Sequence, residues 1–484
     1  MAVFYNNHIR QQAYITMDDS EKYFLSSFTP KSLQNNFNKK IKNKAGKGID
    51  GVGSIQIEND LELITSRISN KVINSKYRFS PYLEIAKCKG RGKAPRIISK
   101  PTLRDKLTLS VLKDILHYQY EACIQNQLPC IYIKEIKKLF DEHEKEEISF
   151  LKIDITTFYD SLNHNILLDE CLSDINNDHL LTLIRRAIKN KTVPKNYKKA
   201  NASNYHNKSG VPQGLSISNV LAGIYMKAFD AEFEAIGLKY FRYVDDILIF
   251  AKHEEINTIK ERVGDSLTLI NLRINDEKDD SGAISKPFDY LGYQISSDKI
   301  SVRESTVERF INSIIAMFTD FKLNFKSRAS NLKNHTSGHF TAEHLKELFI
   351  LNLNEKISGA VTETKRYGWI FYFVEITDIH LLHKIDSIIS KQFSRLYMFD
   401  GAPPKTLKTM VKSYYAAKYS PFDGYIHNYG TYDTLMNKVQ FLLKLSYLSE
   451  QDIESFTEKE VERKFEMSKG KRLMKLEEDV GNIS

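Results

Sequence analysis

The sequence contains few of the residues that mark disulfide-stabilised, zinc-binding or membrane-spanning proteins. Its 484 residues include four cysteines, and no two of them form a Cys-x-x-Cys pair. This spacing indicates neither a zinc site nor a disulfide framework, and it is typical of a reduced, intracellular protein. No stretch approaches the roughly 18 uninterrupted apolar residues of a membrane span, and the N-terminus lacks the basic start and apolar core of a secretory signal. We therefore expect a cytoplasmic protein that does not bind a membrane.

The composition is that of a globular, basic protein. Apolar residues make up 42% of the chain and aromatic residues 11%, which argues against disorder. The formal net charge of +9 is compatible with a polyanionic partner but does not establish one, because many basic proteins bind none. Lysines and arginines cluster around Tyr197 and Tyr205, a combination that can contact phosphates and stack bases. The same cluster is also typical of a solvated surface.

Two adjacent carboxylates interrupt the apolar run of residues 241–250. Aromatic and β-branched residues favour strands and Asp favours turns, so the run predicts a hairpin with Asp245 and Asp246 at its turn. Neighbouring like charges in apolar surroundings cost free energy unless a cation or hydrogen bonds compensate them. A divalent metal such as magnesium, which prefers oxygen ligands, would do so. A hairpin that simply uses two Asp residues in its turn is the alternative.

Other segments upstream of this run complete a possible metal-dependent site. The apolar stretch Ile148–Asp154 predicts a strand that ends on a carboxylate. A reaction that needs two metal ions takes carboxylates from separate segments, because one segment cannot surround both ions. Between the carboxylates, Gly210-Val-Pro-Gln-Gly-Leu-Ser216 predicts a loop that leads into a helix near Ser218. Its glycines permit close backbone approach, and Gln213 offers both a donor and an acceptor.

Local patterns predict alternating helices and strands in the first part of the chain. Gly46, Gly48 and Gly51 match G-x-G-x-x-G, but no apolar strand precedes them, so we predict a turn and not a dinucleotide site. The other predicted elements are a strand at 54–57, a helix at Leu61–Ile73, two strands within 82–99, a helix at 103–124 and short strands within 288–295. Each follows from the period of its apolar residues or from its β-forming residues.

From Ser301 onward the strand signals fade and apolar residues recur at helical spacing. Residues 365–373 predict a core helix that carries the only Trp of the chain. The charged C-terminal stretch predicts a surface helix. The last part of the chain is therefore predicted to be mainly helical.

In chain order, these segments resemble the reverse transcriptase family over residues 48–296. The matching blocks are Asp50-Gly51, Lys93-Ala-Pro-Arg96, Leu103-Arg-Asp-Lys106, Asp154-Ile-Thr-Thr-Phe-Tyr-Asp160 (motif A), Val211-Pro-Gln-Gly214 (motif B), Tyr243-Val-Asp-Asp246 (motif C), Leu272-Arg-Ile-Asn-Asp-Glu-Lys278 (motif D) and Phe288-Asp-Tyr-Leu-Gly-Tyr293 (motif E). The resemblance implies an α+β right-hand polymerase, with fingers and a palm built on an antiparallel sheet and an all-α C-terminal region. We place an N-terminal extension at 1–60, fingers and palm at 61–300, and a helical thumb-like or helical-repeat region at 301–484.

The resemblance also implies a catalytic carboxylate set, made of Asp154, Asp245 and Asp246. Asp154 and Asp245 would hold two magnesium ions, with manganese as a substitute. The carbonyl of Ile155 and the neighbouring Asp246 would support them. One ion would lower the pKa of the primer 3′-hydroxyl, and the other would neutralise the departing pyrophosphate.

The residues that the resemblance places at the substrate are Lys93, Arg96, Tyr159, Gln213, Gly214 and Lys278. The two basic fingers residues would clamp the triphosphate, the arginine in a bidentate manner. Tyr159 would crowd a ribose 2′-hydroxyl and so select deoxynucleotides, although ordinary core packing is the alternative for this ring. The motif B residues would lie along the nucleotide and template. Lys278 would donate a proton to pyrophosphate, unless it is a solvated surface lysine.

The implied activity is RNA-directed synthesis of cDNA from dNTPs on an RNA template or a non-coding RNA. Residues 365–373 and 376–382 are similar to a segment of standalone bacterial reverse transcriptases that act in defence against phage, including the abortive-infection type. That similarity implies a dedicated non-coding RNA and a homo-oligomer. The sequence shows neither an RNase H-like carboxylate set after the core nor a Cys/His-rich endonuclease module.

Two alternatives stay open at this point. A template-independent or protein-primed DNA polymerase would use the same fold and the same motifs. A non-catalytic RNA-binding scaffold would keep the fold without the chemistry, although the presence of all three carboxylates argues against it.

Overall fold

The computed structural model of the chain describes residues 17–42, 46–87, 94–124, 127–143, 148–198, 200, 205, 207–235, 239–332, 342–445 and 455–480. The elements of the first part are α1 (Met17–Ser27), α2 (Pro30–Asn36), α3 (Ser54–Asn59), α4 (Leu61–Ile73), β1 (Tyr82–Lys87), β2 (Arg96–Lys100), α5 (Leu103–Gln119), α6 (Pro129–Glu142), β3 (Ile148–Asp154), α7 (Phe158–Ser161), α8 (Asp178–Ile188), β4 (Thr192–Val193), α9 (Ser218–Tyr225) and α10 (Lys227–Glu234). The elements of the second part are β5 (Lys239–Tyr243), β6 (Asp246–Lys252), α11 (Ile256–Leu269), β7 (Asp280–Ala283), β8 (Phe288–Tyr290), β9 (Tyr293–Ile295), β10 (Ile300–Val302), α12 (Glu304–Leu332), α13 (Ala342–Ser358), β11 (Ala360–Val361), β12 (Arg366–Tyr367), α14 (Trp369–Tyr372), α15 (Ile379–Gln392), α16 (Met410–Tyr419), β13 (His427–Asn428), α17 (Leu435–Lys444) and α18 (Glu458–Glu478). In these described ranges, every helix is too short or too polar to cross a membrane.

The chain folds into two bodies, and each takes its residues from several separate segments. The first body comprises Met1–Gln125, Ile155–Ala235 and Val263–Ile274. The second body comprises Asn126–Asp154, Ile236–Arg262 and Asn275–Ser484.

The first body contains a small sheet and the helices around it. Strands β1 and β2 pair antiparallel, and β4 joins the other edge of β1 in parallel. Helix α5 begins after Thr102, whose hydroxyl accepts a hydrogen bond from the Asp105 N–H at 3.2 Å. The apolar face of this helix is buried, with Leu107, Leu112 and Ile115 excluded from solvent. The predicted strands within 82–99 and the predicted start of this helix are confirmed.

One prediction in the first body is wrong. Residues 54–57, predicted as a strand, belong to the helix α3. The Gly53 N–H donates to the Gln56 side chain at 2.7 Å, which satisfies a free backbone donor at the start of the helix. Ile57 is buried whereas Ile55 is exposed, so only one of the two isoleucines faces the core from this short helix.

The second body is built on a four-stranded antiparallel sheet in the order β5-β6-β3-β7. The central strand β3 is buried along most of its length, with Phe150 and Ile153 excluded from solvent. Phe150 stacks on Phe288 of β8 at a centroid distance of 4.1 Å, so the next sheet, β8-β9-β10, continues the same core. The predicted strand at Ile148–Asp154 and the predicted antiparallel sheet are confirmed.

The C-terminal part of the second body is mainly helical, as predicted, with one small sheet of β11, β12 and β13. Trp369 is buried and stacks on Phe310 of α12 at 4.7 Å. The predicted core helix at 365–373 is wrong in its extent, because the segment forms β12 and then the four-residue helix α14. Gly368 separates the two with a φ of +106°, a conformation that L residues with a side chain rarely adopt.

A buried polar cluster links α13, α18 and the residue after β13 in this C-terminal part. Glu355 of α13 accepts a hydrogen bond from the Tyr429 hydroxyl at 2.6 Å and pairs with Arg472 of α18 at 2.5 Å. Arg472 also donates through Nε to the Tyr429 hydroxyl at 3.0 Å. Burial lowers the pKa of the neighbouring His427 to about 4, although the Glu355 carboxylate opposes that shift. Helix α18 therefore buries one of its faces. The prediction of a surface helix holds only for its other face.

Candidate functional site

The predicted hairpin around the paired carboxylates is present in the second body. Strands β5 and β6 pair so that Tyr243 lies opposite Asp246, which leaves Val244 and Asp245 in the turn. Val244 has a φ of +60°, which for a β-branched residue stores backbone strain of about 1–3 kcal/mol. The Val244 carbonyl accepts a hydrogen bond from the Arg242 guanidinium at 2.9 Å. Because Arg242 is itself buried, this contact holds the strained turn in place.

The third carboxylate lies on the neighbouring strand. Asp154 is the last residue of β3 and pairs in register with Asp246, the first residue of β6. Asp154 is buried, and each of its carboxylate oxygens has a partner. Asn275 Nδ2 donates to Oδ1 at 3.0 Å, and Lys278 Nζ lies 2.7 Å from Oδ2. The Asn275 N–H also donates to the Asp154 carbonyl at 2.8 Å, so the motif D segment is attached to the start of motif A, at the end of β3.

Crowded negative charge is the main electrostatic property of this half of the site. Burial, and then the Asp245 and Asp154 carboxylates, raise the pKa of Asp246 to about 7, although Lys152 and Lys278 oppose the shift. A divalent cation relieves such crowding, and carboxylate oxygens are the ligands that magnesium prefers. In the described part of the chain, however, no three His, Cys, Asp or Glu side chains are arranged to share an ion. The donors thus suit magnesium chemically, and the metal site itself stays a prediction.

The substrate residues that the structure describes, apart from Lys278, lie in the first body. Arg96 is the first residue of β2. Three residues further along that strand, the Ser99 N–H donates to the Gln213 carbonyl at 2.7 Å, which fixes the motif B loop against β2. Gly214 has a φ of +97°, and a Cβ there would lie 2.6 Å from Ile98 Cγ2. A residue with a side chain would therefore push this loop away from the strand that carries Arg96.

Tyr159 lies on α7, directly beside the same loop. Its carbonyl accepts a hydrogen bond from the Val211 N–H at 2.8 Å, and its hydroxyl donates to Asn219 Oδ1 at 2.7 Å. Gly210 has a φ of +81°, and an added Cβ would lie 2.8 Å from the Asp160 Cα, so only glycine permits this approach. The adjacent Phe158 is buried, whereas Tyr159 is partly exposed. Core packing therefore describes Phe158 better than Tyr159.

The predicted residues thus fall into two sets. The second body carries Asp154, Asp245, Asp246 and Lys278, and the first body carries Ile155, Arg96, Tyr159, Gln213 and Gly214. Ile155 is buried and forms a β-bridge with Ile274 in the first body. Lys93 lies outside the described residues.

Three polar residues that the sequence did not predict hold predicted site residues in place. Arg242 holds the motif C turn, Asn275 bonds to Asp154, and Asn219 bonds to the Tyr159 hydroxyl. A charged residue inside the apolar run 241–250 was a usable signal for Arg242. Asn275 and Asn219 carry no such signal, because each acts across a separation of more than fifty residues.

Comparison with known proteins agrees with this geometry. Residues 87–295 match the model of the family described as reverse transcriptase (RNA-dependent DNA polymerase). This segment, which is less than half of the chain, resembles the reverse transcriptase family. The matched segment contains the sheet that carries Asp154, Asp245 and Asp246 and the loop that carries Gln213. The match agrees with the predicted α+β polymerase fold and with the predicted enzyme class, an RNA-directed DNA polymerase of the nucleotidyltransferases.

This chain is also similar to part of one curated protein and to one solved structure. The putative COX1/OXI3 intron 2 protein of Saccharomyces cerevisiae is 24% identical over 205 residues, which are 40% of this chain and 23% of that protein. The match thus covers less than a quarter of the length of that curated relative. A solved structure of telomerase from Candida albicans, in complex with a TWJ fragment of telomeric RNA, has 15% identity and a TM-score of 0.40. The similarity covers 72% of this chain and 67% of the telomerase chain.

Proposed function

We propose that this protein is an RNA-directed DNA polymerase that makes cDNA from dNTPs by two-metal nucleotidyl transfer. The observation that supports the proposal most directly is the register of the sheet. It pairs Asp154 with Asp246 across β3 and β6 and leaves Asp245 next to them in the turn. Three carboxylates at the adjoining ends of two strands meet the need for acidic ligands from separate segments. The proposed domains are an N-terminal extension at 1–60, fingers and palm at 61–300, and a helical thumb-like or helical-repeat region at 301–484.

The proposed cofactor is a pair of magnesium ions, with manganese as a substitute. Asp154, Asp245 and Asp246 would hold them, together with the Ile155 carbonyl. When bound, such ions activate the primer 3′-hydroxyl and neutralise the leaving pyrophosphate. Lys278, whose ammonium pairs with Asp154, would donate a proton to the pyrophosphate.

The proposed binding residues for the incoming dNTP lie in the first body. Lys93 and Arg96 would bind the triphosphate, for which the guanidinium fork of arginine is well shaped. Gln213 and Gly214 would lie along the nucleotide and the template, since the contact between their loop and β2 keeps them near the strand of Arg96. Tyr159 would exclude the ribose 2′-hydroxyl.

Replacing Tyr159 with Ala is expected to weaken discrimination against ribonucleotides by about 10- to 100-fold, because it removes the ring that would crowd the ribose 2′-hydroxyl. The ratio of dNTP to rNTP incorporation on one RNA template measures the effect. Tyr159→Phe is the matched control, since it keeps the ring and removes only the hydrogen bond to Asn219. Equal selectivity in the wild type and Tyr159→Ala would exclude this ring as the gate.

The purified chain is expected to extend a primer on a defined RNA template, and the sequenced product should be complementary to that template. A random or homopolymeric product would instead indicate template-independent synthesis. A product that stays covalently attached to the protein would indicate protein priming. RNA binding without incorporation, with the carboxylates intact, would favour the non-catalytic scaffold.

The proposed biological setting is a cytoplasmic, homo-oligomeric enzyme with a dedicated non-coding RNA in defence against phage. The support is the similarity of residues 365–373 and 376–382 to a segment of standalone bacterial reverse transcriptases. Sequencing the RNA that copurifies with the chain tests the central part of this proposal. Recovery of one dominant RNA is expected, and an unselective mixture of cellular RNA would contradict a dedicated partner.

A further inference from the structure

Helix α16 exposes aromatic rings on one side, in a part of the chain that the proposed catalytic chemistry does not use. Tyr415 is 47% exposed, Tyr419 is 72% exposed and Phe422, just beyond the helix, is 53% exposed. Lys412, Tyr415 and Tyr419 follow one another at spacings of three and four residues, so they share one face of the helix. We call Lys412, Tyr415, Tyr419 and Phe422 the α16 tyrosine face. Single exposed aromatics are ordinary, but adjoining ones mark interaction surfaces.

The opposite side of α16 is part of the core and holds the exposed face in position. Met410 and Ala417 are fully buried, and the Tyr414 hydroxyl donates to the Ile376 carbonyl at 2.9 Å. The rings of Tyr415 and Tyr419 lie within 14° of parallel, with their centroids 6.3 Å apart. The face is therefore a pair of aligned rings on a firmly packed helix.

The stretch of chain around this face is rich in basic residues. Residues 378–423 contain seven lysines and arginines and four acidic residues, Asp378, Asp386, Asp400 and Asp423. Asp378 already pairs with Lys299 at 2.8 Å. The Asp386 carboxylate is already engaged, because it accepts hydrogen bonds from the Met410 and Val411 N–H groups at 2.6 and 3.2 Å. Lys412 Nζ lies 4.7 Å from the centroid of the Tyr425 ring, so a cation is held next to the exposed aromatics. This combination suits an anionic partner with flat groups.

We propose that the α16 tyrosine face binds single-stranded RNA. Aromatic side chains stack on unpaired bases whatever their sequence, while lysines beside them neutralise phosphates. Bases inside a duplex are already stacked and cannot reach these rings, which favours a single strand. The choice of RNA over DNA rests on the proposed function, whereas the stacking and charge arguments do not.

Binding of a fluorescent single-stranded RNA to the full-length chain tests the proposal. Tyr415→Ala combined with Tyr419→Ala is expected to weaken binding by about 10-fold or more, since each stacked base contributes about 5- to 150-fold. Lys412→Gln should lower the slope of log affinity against log salt by about 0.7, the value for one phosphate contact on a single strand. RNA that carries photoreactive uridines should crosslink to the peptide 412–422, a readout that binding elsewhere does not produce.

Matched variants separate stacking from loss of structure. Tyr415→Phe with Tyr419→Phe should keep the affinity, because the rings remain. Tyr118→Ala removes a similarly exposed tyrosine from the first body and should leave binding unchanged. Extension of a short annealed primer–template should also stay unchanged in the α16 variants, so failure of the polymerase proposal and failure of this one give different results.

Three outcomes would overturn the inference. Unchanged affinity of the double Ala variant together with no crosslink to 412–422 would show that RNA binds elsewhere. A change of oligomeric state in that variant, at constant RNA affinity, would show that the face binds a second copy of the chain. Tighter binding of single-stranded DNA, lost in the same variant, would exclude RNA as the partner.

Discussion

Replacing Asp245 with Ala is expected to abolish DNA synthesis, with a loss of about 10³-fold or more in dNTP incorporation. Asp245 lies in the turn between β5 and β6, next to the Asp154–Asp246 pair, and is the proposed direct metal ligand of that turn. Without its carboxylate, the developing charge on the 3′-oxygen and pyrophosphate would lose part of its compensation. Incorporation on an RNA template, measured with magnesium and then with manganese, checks the prediction.

The stability of this variant provides an independent control. Asp245 raises the pKa of the neighbouring Asp246, so removing it relieves repulsion between like charges. The unfolding temperature of Asp245→Ala should therefore be equal to or higher than that of the wild type. Glu304→Ala at the start of α12 removes a carboxylate from the same body, outside every motif, and should keep full activity. Full activity of Asp245→Ala, at unchanged stability, would remove this residue from the catalytic set.

Replacing Glu355 with Ala is expected to lower the free energy of unfolding of the C-terminal part by about 3–5 kcal/mol. Glu355 and Arg472 have side chains that are only 6% and 9% exposed, so the variant leaves a buried guanidinium charge without its carboxylate. The Tyr429 hydroxyl loses its acceptor as well. Limited proteolysis should then release α18, and thermal unfolding should show an earlier transition for this part of the chain.

Two matched variants test the cause of that loss. Combining Glu355→Ala with Arg472→Met should recover much of the stability, because the unpaired charge is gone. Glu462→Ala breaks the more exposed pair between α17 and α18, in which Glu462 lies 3.1 Å from Lys438. That change should lower the free energy of unfolding by less than about 1 kcal/mol. Equal losses in Glu355→Ala and Glu462→Ala would show that burial of the pair is not the reason.

Short-range patterns were sufficient for the elements that carry the proposed chemistry. An apolar run that ends on Asp154 predicted β3, and the carboxylates inside 241–250 predicted the hairpin of β5 and β6. Both predictions succeeded because strand formation, turn formation and burial favour the same residues at these positions. At residues 54–57 the strand prediction rested only on the alternation of two isoleucines. That prediction was wrong, because the segment forms a helix.

The sequence by itself determined the order of the motifs, the identity of the carboxylates and the apolar faces of the main helices, because each depends on residues that are neighbours in the chain. Only the tertiary structure decided the register that places Asp246 opposite Asp154, the contacts of Asn275 and Asn219, and the burial of Arg472 against Glu355. These features join residues that are far apart in sequence. No local preference specifies such pairs, since they form only when whole strands and helices pack.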